Sequence, residues 1–306
     1  MDIIKKIPLK KVIFLGIGTV VILFIIFKVT VDTQTFLKTT KETNINFLWY
    51  ALLAILPTFI LNPLRWFFVL KAYGYNLKFK TIFHAITASY AFILIPGRLG
   101  DFVRSYFTKD NISPAESVGS VIVEKIIDVI VLLLIATIGL KILNQNIYSL
   151  ITLAVAISVI IGVIIVKKIG PKFGLTKIGF VNKVTTAVKI PNKPVYLVTA
   201  GLVSMTNWLS SITSAYFLFQ AFNTTIPFIA VIAYLPITLF AGLIPVSIGG
   251  IGIRDSAIIA LFATYATSAQ ALAVGFSYSF LSYFLFMLVG LPLAIHYFYL
   301  KDSSNL

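Results

Sequence analysis

The chain has 306 residues, of which 59% are hydrophobic and 11% are charged, and it carries a net charge of +15. A soluble domain has about 25% charged residues, so this composition predicts a polytopic membrane protein rather than a soluble enzyme. The lack of cysteine excludes disulfides, thiolate metal sites and a cysteine nucleophile, and two histidines are too few for a typical zinc site. Most lysines flank apolar runs, where they set membrane orientation, so the charge does not indicate nucleic-acid binding.

Six segments are long and apolar enough to predict membrane-spanning helices. In chain order they are Val12–Phe27, Phe47–Leu70, Val118–Leu143, Ile147–Val166, Val195–Phe222 and Leu272–Tyr299. The first has no small-residue cleavage site and is expected to be retained as a helix. The longest polar stretch is the basic loop 167–194, so we expect one all-α integral membrane domain over residues 1–306.

Two further apolar runs end in breaks rich in proline and glycine. Phe79–Ile95 leads into PGRLGD, and Phe228–Ile244 leads into PVSIGGIG. Each break is followed by a short helix-like piece, and Phe102–Phe107 is too short to cross a bilayer. This pattern predicts two re-entrant helical hairpins, the alternative being ordinary short spans joined by tight loops.

Lysine placement predicts the orientation. The N-terminal segment, the 71–80 loop and the 167–194 loop are lysine-rich, and re-entrant hairpins would put all three on one side, which should be cytoplasmic. Both termini are then cytoplasmic in a cell-membrane protein. Hairpins that crossed fully would also leave 167–194 inside, so lysine placement does not distinguish the two alternatives.

The two halves of the chain share a register. At an offset of 149 residues, AYGYNLKF (72–79) lies opposite AFNTTIPF (221–228), and both halves reach an identical LIP before the break. We therefore divide the chain into an N-terminal helix with an external loop (1–46), a first repeat (47–146), a connecting helix with a basic loop (147–194) and a second repeat (195–306). In the topology above these repeats are inverted, an architecture common among secondary transporters.

Arginine is rare in this chain, which has 21 lysines and four arginines. These are Arg65, Arg98, Arg104 and Arg254. Arginine binds phosphate in a bidentate manner and stays charged when buried, so Arg98, Arg104 and Arg254 at the breaks are candidate headgroup ligands. The alternative is that they snorkel to the interface or pair with neighbouring acids, Arg104 with Asp101 and Arg254 with Asp255. For Arg65, snorkelling near a helix end is an equal alternative to a role in the cavity.

A polar stripe marks the third predicted span. Ser120, Glu124 and Asp128 follow at i, i+4 and i+8 and share one helix face. Carboxylates within a membrane span should not face lipid. They are either counter-ions to the hairpin arginines or groups that couple a proton to transport.

Glycines at the breaks would allow a headgroup to approach backbone N–H groups. The candidates are Gly97, Gly100, Gly249, Gly250 and Gly252. Further candidates for cavity lining within the spans are Asn62, Pro63, Ser120, Asn207 and Trp208. His84 is interpreted as a packing or interface residue rather than a ligand.

Three motifs carry a resemblance. LIPGRLGDFVRSYF, SVIVEKIIDVIVLLL and LIPVSIGGIGIRDSA, in this order, resemble the lysylphosphatidylglycerol synthase transmembrane-region family, also described as flippase-like membrane proteins. In that family the membrane domain is fused to a cytoplasmic aminoacyl-transferase domain and is implicated in moving aminoacylated phospholipid across the bilayer. The resemblance implies a stand-alone membrane domain here and carries the family's polar positions onto Arg98, Asp101, Arg104, Glu124, Asp128, Arg254 and Asp255.

The sequence thus predicts a translocase for an anionic or zwitterionic phospholipid or a polyprenyl-phosphate-type lipid. We expect no catalytic residue, metal or cofactor, and no direct use of ATP, because no nucleotide-binding motif is present. A separate lipid-modifying enzyme or glycosyltransferase is the expected partner. The alternatives are an intramembrane lipid-modifying enzyme and a non-transporting scaffold for a lipid or glycan synthase.

Overall fold

The computed structural model describes residues 33–93, 100–168, 191–242 and 250–303, and the regular structure within these ranges is helical. In chain order the helices are α1 (Thr33–Lys41), α2 (Ile45–Ile55), α3 (Thr58–Ala72), α4 (Phe79–Ser89), α5 (Gly100–Phe107), α6 (Pro114–Ile142), α7 (Asn146–Lys168), α8 (Val195–Ala221), α9 (Phe228–Ala241), α10 (Ile253–Leu261), α11 (Ser268–Ser279) and α12 (Leu285–Ser303). A 3₁₀ turn, Tyr90–Phe92, follows α4, and a π-helical segment, Phe280–Phe284, joins α11 to α12. The predicted span Val12–Phe27 and the candidates Gly97, Arg98 and Gly249 lie outside the described residues.

Four helical stretches are long and apolar enough to cross a membrane. They are Ile45–Ala72, Asn146–Ile165, Val195–Ala221 and Ser268–Tyr297, and each coincides with a predicted span. The predicted span Val118–Leu143 is also helical, as part of the 29-residue α6. At about 1.5 Å per residue α6 is longer than a bilayer core is thick, but it carries Glu124, Lys125 and Asp128 within its apolar run.

The predicted helix Phe47–Leu70 is interrupted in the structure. Pro57 has no N–H and cannot continue the helical hydrogen bonds, so α2 ends at Ile55 and α3 begins at Thr58. The Thr58 hydroxyl donates a 2.6 Å hydrogen bond to the carbonyl of Ile55 across the break. The interruption brings both residues to the wall of the cavity described below.

The 149-residue register of the two halves extends to the backbone. Equivalent positions are the helix ends Ala72 and Ala221, the helix starts Phe79 and Phe228, and the positive-φ residues Gly74 (86°) and Asn223 (55°). The same backbone hydrogen bond closes both turns, from Tyr75 to Leu70 at 3.1 Å and from Thr224 to Phe219 at 3.0 Å. Two identical turns at one offset support a duplicated unit.

Helices from the two halves pack crosswise. The hairpin helix α9 packs on α6 and α4 packs on α12, while α8 lies along α2 and α3. A glycine allows each of the first two contacts. A Cβ on Gly139 would lie 2.6 Å from the backbone nitrogen of Ala233, and one on Gly290 would lie 2.5 Å from the carbonyl oxygen of Thr87. Small residues that let backbones approach closely are typical of helix contacts within membranes.

The two short helices return against the apolar helices that precede them. A Cβ on Gly100, at the start of α5, would lie 1.9 Å from the carbonyl oxygen of Phe92. A Cβ on Gly250, just before α10, would lie 2.5 Å from the carbonyl oxygen of Gly242. Gly100 and Gly250, predicted to admit a headgroup, therefore serve in the structure to bring the two arms of each break into backbone contact.

A buried charged cavity as the candidate functional site

A cavity of about 130 Å³ lies where the two halves meet. Its walls come from α2 to α6 in the first half and from α8, α9 and the α11–α12 stretch in the second. All of its charged lining residues in the described part of the chain belong to the first half: Arg65, Asp101, Arg104, Glu124, Lys125 and Asp128. The second half contributes neutral polar groups such as Asn207, Ser211, Tyr278 and Tyr283.

Arg65 is the centre of the charged cluster. Its Nε and Nη2 atoms donate to Oε1 of Glu124 at 3.2 and 2.6 Å, and its Nη1 atom lies 2.8 Å from Oδ1 of Asp128. The residue is only 3% exposed, so the snorkelling interpretation is wrong. Arg65 instead holds two buried carboxylates of α6 against α3, as a buried cation requires.

Arg104 is incompletely satisfied. Its Nη1 atom lies 2.8 Å from Oε2 of Glu124, and its guanidinium stacks on the ring of Trp66 with 4.6 Å between centres. Its Nε and Nη2 atoms are buried and have no hydrogen-bond partner among the residues that the structure describes. Buried unpaired donors on a cation are costly, so they mark a place where a polar ligand or water would be stabilised.

The polar stripe on α6 faces the protein interior. Ser120 accepts a 2.8 Å hydrogen bond from the indole of Trp66, and Glu124 is shared by Arg65 and Arg104. Asp128 accepts hydrogen bonds across the two halves, from the hydroxyl of Ser204 at 2.6 Å and the indole of Trp208 at 3.1 Å. The pairing of Glu124 with Arg104 is the contact that the counter-ion interpretation requires.

The charges of the cavity balance. Asp101 Oδ2 lies 2.9 Å from the ammonium group of Lys125, which is also 3.9 Å from Glu124 Oε1. Among the described lining residues, three cations therefore face three carboxylates. The cations can pair with an anionic group and the carboxylates with a cationic group of a zwitterionic headgroup, while the net charge of the buried site stays small.

Arg254 lies outside the lining of this cavity. Its Nη2 atom donates to Asp255 Oδ1 at 2.8 Å, to the carbonyl oxygen of Gly275 at 3.2 Å and to the hydroxyl of Ser279. Asp255 in turn accepts a 2.9 Å hydrogen bond from the N–H of Gly252, the N-cap residue of α10. The predicted direct contact of Arg254 with a headgroup is not available in this structure, because the guanidinium is 1% exposed and already bonded.

Sequence reasoning located some of the neutral lining and missed the rest. Asn62, Asn207 and Trp208 line the cavity, whereas Pro63 in α3 and Ser120 in α6 are buried outside it. The missed residues Tyr278, Ser282 and Phe286 follow at i, i+4 and i+8, the spacing that revealed the stripe on α6. Tyr283 has no such signal: an α-helix would turn it about 140° away from Tyr278, and the π-helical segment brings both to the cavity.

Apolar helices that surround a buried charged cavity define the protein as a multi-pass α-helical membrane protein. Residues 13–290 match the family described as the lysylphosphatidylglycerol synthase TM region, and the chain belongs to this family. Membership indicates a membrane protein of lipid metabolism or transport. No curated protein matches the chain.

Proposed function

We propose that this protein translocates a lipid between bilayer leaflets, with the headgroup in the charged cavity and the acyl chains in the bilayer. The substrate is an anionic or zwitterionic phospholipid or a polyprenyl-phosphate-type lipid. The observation that carries the proposal is a pair of buried donors on Arg104 that no described residue engages, in a cavity whose walls come from both halves. A phosphate oxygen is the acceptor that a guanidinium binds best.

The proposed topology has six full spans and two re-entrant hairpins, with both termini on the cytoplasmic side of the cell membrane. It is supported by the lengths of α5 and α10, which at eight and nine residues reach about 12 to 14 Å, less than half of a bilayer core. The backbone contacts at Gly100 and Gly250 also favour hairpins, because they fold each short helix back on its predecessor.

The charged residues divide into three proposed roles. Arg104, with Arg98 from the preceding break, binds the headgroup phosphate. Arg65 and Glu124 position Arg104. Asp101 and Asp128, which pair with Lys125 and Arg65, exchange these partners for a cationic part of the headgroup. Arg254 acts through Asp255 on the start of α10 and is a positioning residue of the second hairpin.

Movement is required in this mechanism. The cavity is smaller than the roughly 300–1,000 Å³ of pockets that enclose small molecules, so a headgroup must widen it. The hairpins are the proposed moving parts, since each packs on a long helix of the other half and could shift along it. The motion would be passive or coupled to an ion. A separate lipid-modifying enzyme or glycosyltransferase would supply or consume the lipid, and this protein would move the lipid without changing it chemically.

The test is leaflet exchange of fluorescent lipids in liposomes with purified protein, using anionic, zwitterionic and polyprenyl-phosphate headgroups, with and without a proton gradient. Arg104→Lys keeps the charge and removes the planar fork, and we expect exchange to fall about 10-fold or more. Lys38→Gln, on the exposed helix α1, is the matched control and should leave exchange unchanged.

Equal exchange by Arg104→Lys and the unchanged protein would contradict the proposed role of Arg104. Absence of exchange with every lipid, from protein shown to be folded, would contradict translocation itself. Formation of a new product from labelled lipid would then favour the enzyme, and co-purification of a synthase would favour the scaffold.

A further inference from the structure

A second, larger hollow lies away from the charged cavity. It measures about 830 Å³ and is formed where the start of α4 approaches the end of α5 and the later part of α12. It shares no described lining residue with the charged cavity. Both histidines of the chain, His84 and His296, line it. We refer to it as the α4–α12 groove.

The groove is rich in exposed cations. Lys78 and Lys80 lie at its rim with His84 and His296, and Asp110 is its acidic residue within the described part of the chain. No hydrogen bond or ion pair with another described residue engages the ammonium groups of Lys78 and Lys80, and Asp110 does not pair with them. The lysines are thus free to bind an external anion, and His84 is exposed beside them, with its ring edge-on to that of Phe83.

The rest of the groove is apolar and opens toward a surface suited to acyl chains. Phe107, Leu293 and Tyr297 line its side. On the same face of α12, Val289 lies four residues before Leu293 and seven before His296, and it is 44% exposed. An apolar helix face beside a basic rim has the pattern of a phospholipid site at the membrane interface, where basic pockets between helices hold anionic headgroups.

We propose that the α4–α12 groove binds an anionic phospholipid, with the headgroup phosphate at Lys78, Lys80 and the two histidines and the acyl chains along α12. A lipid rather than free phosphate is the occupant, because the basic rim continues into the apolar face of α12. Lipid binding in this groove requires a membrane but no translocation, so the proposal does not depend on the function of the charged cavity.

The absence of cysteine allows a single reporter. Thr81→Cys, in the groove wall, would carry an environment-sensitive fluorophore on protein in nanodiscs of phosphatidylcholine with increasing phosphatidylglycerol. We expect a saturable response. Lys78→Gln with Lys80→Gln should raise the phosphatidylglycerol fraction at half-saturation by about 5-fold or more, since each basic residue near an anionic surface contributes about a 5-fold preference.

Lys38→Gln with Lys41→Gln is the matched control, because it removes the same charge from exposed α1 and should leave the response unchanged. His84→Gln with His296→Gln is the second groove variant and should also weaken the response. A linear response, or equal responses in groove and control variants, would show general surface attraction and overturn the proposal. A response to inorganic phosphate in pure phosphatidylcholine nanodiscs would overturn the lipid assignment.

Leaflet exchange measured on the same variants separates the two proposals. Normal exchange together with a lost groove response would support a lipid site distinct from the transport cavity. Conversely, a preserved groove response in Arg104→Lys, whatever its exchange rate, is expected if the groove is independent. A response lost in Arg104→Lys would show that the reporter follows the charged cavity and would overturn the proposal.

Discussion

Arg104 and Arg254 occupy nearly equivalent positions after the two breaks, yet their surroundings differ. Arg104 shares Glu124, on another helix, with Arg65, and it keeps two buried donors unpartnered beside the cavity. Arg254 pairs with its own neighbour Asp255 and is further bonded to α11 at Gly275 and Ser279. One of the two arginines is open to a ligand, and the other holds a helix start in place.

The difference follows from where each counter-ion comes from. Glu124 is brought to Arg104 by packing of α6 against α5, so that cluster depends on long-range contacts and can rearrange with the hairpin. Asp255 is adjacent in sequence and is anchored by the N–H of Gly252. We infer that the first hairpin carries the ligand chemistry and the second is the more rigid of the two.

The largest expected effect breaks the first cluster. Glu124→Ala leaves Arg65 and Arg104 without their shared carboxylate, and we expect a loss of about 3–5 kcal/mol in the free energy of unfolding. Thermal unfolding in detergent measures it. Glu42→Gln, which removes an exposed 3.9 Å pair with Lys38, should cost no more than about 1 kcal/mol. Equal stabilities of the two variants would contradict the buried cluster.

The comparison itself is tested by Arg254→Gln against Arg104→Gln. Arg254→Gln isolates buried Asp255, so a loss of about 3 kcal/mol is expected. Arg104→Gln leaves Glu124 paired with Arg65 and should cost about 1 kcal/mol while abolishing lipid exchange. Arg104→Gln should therefore have the higher unfolding temperature, and Arg254→Gln should have the higher exchange rate. The same ranking in both assays would remove the functional distinction between the hairpins.

A smaller effect is expected at the second hairpin's turn. Gly250 has φ of 77° and touches the backbone of Gly242, so Gly250→Ala should destabilise the protein by about 1–3 kcal/mol. The control is Gly201→Ala in α8, where a Cβ meets nothing within 4 Å and a small gain is expected. Chemical unfolding in mixed micelles compares them. A neutral Gly250→Ala would mean that the arms need not meet.

The smallest effect is expected at a hydrogen bond that joins the two halves. Ser204→Ala removes the 2.6 Å hydrogen bond to Asp128, and a loss of about 1–2 kcal/mol is expected because the acceptor is charged and buried. Ser158→Ala serves as the control, since its exposed hydroxyl bonds only the carbonyl of Val155 on its own helix. If both substitutions proved neutral in thermal unfolding, Asp128 would not depend on α8.

Part of the candidate site was predictable because it is periodic. Glu124 and Asp128 belong to a stripe with helical spacing, and Asn62, Asn207 and Trp208 stand out as polar or amphipathic residues inside apolar spans. The role of Arg65 was not predictable, since the carboxylates that hold it lie about sixty positions away, as the separation of 59 residues to Glu124 shows. Arg254 was misplaced for the same reason: its burial depends on Gly275 and Ser279 of another helix.

The sequence by itself determined the apolar helices, the polar stripe, the breaks and the 149-residue register, because each follows from local composition and spacing along one chain. Only the tertiary structure decided which carboxylate meets which arginine, which arginine keeps free donors, and where the two glycine contacts join the halves. Those outcomes depend on the packing of helices far apart in sequence. In an apolar interior, such packing decides whether a buried charge is satisfied or left to bind a ligand.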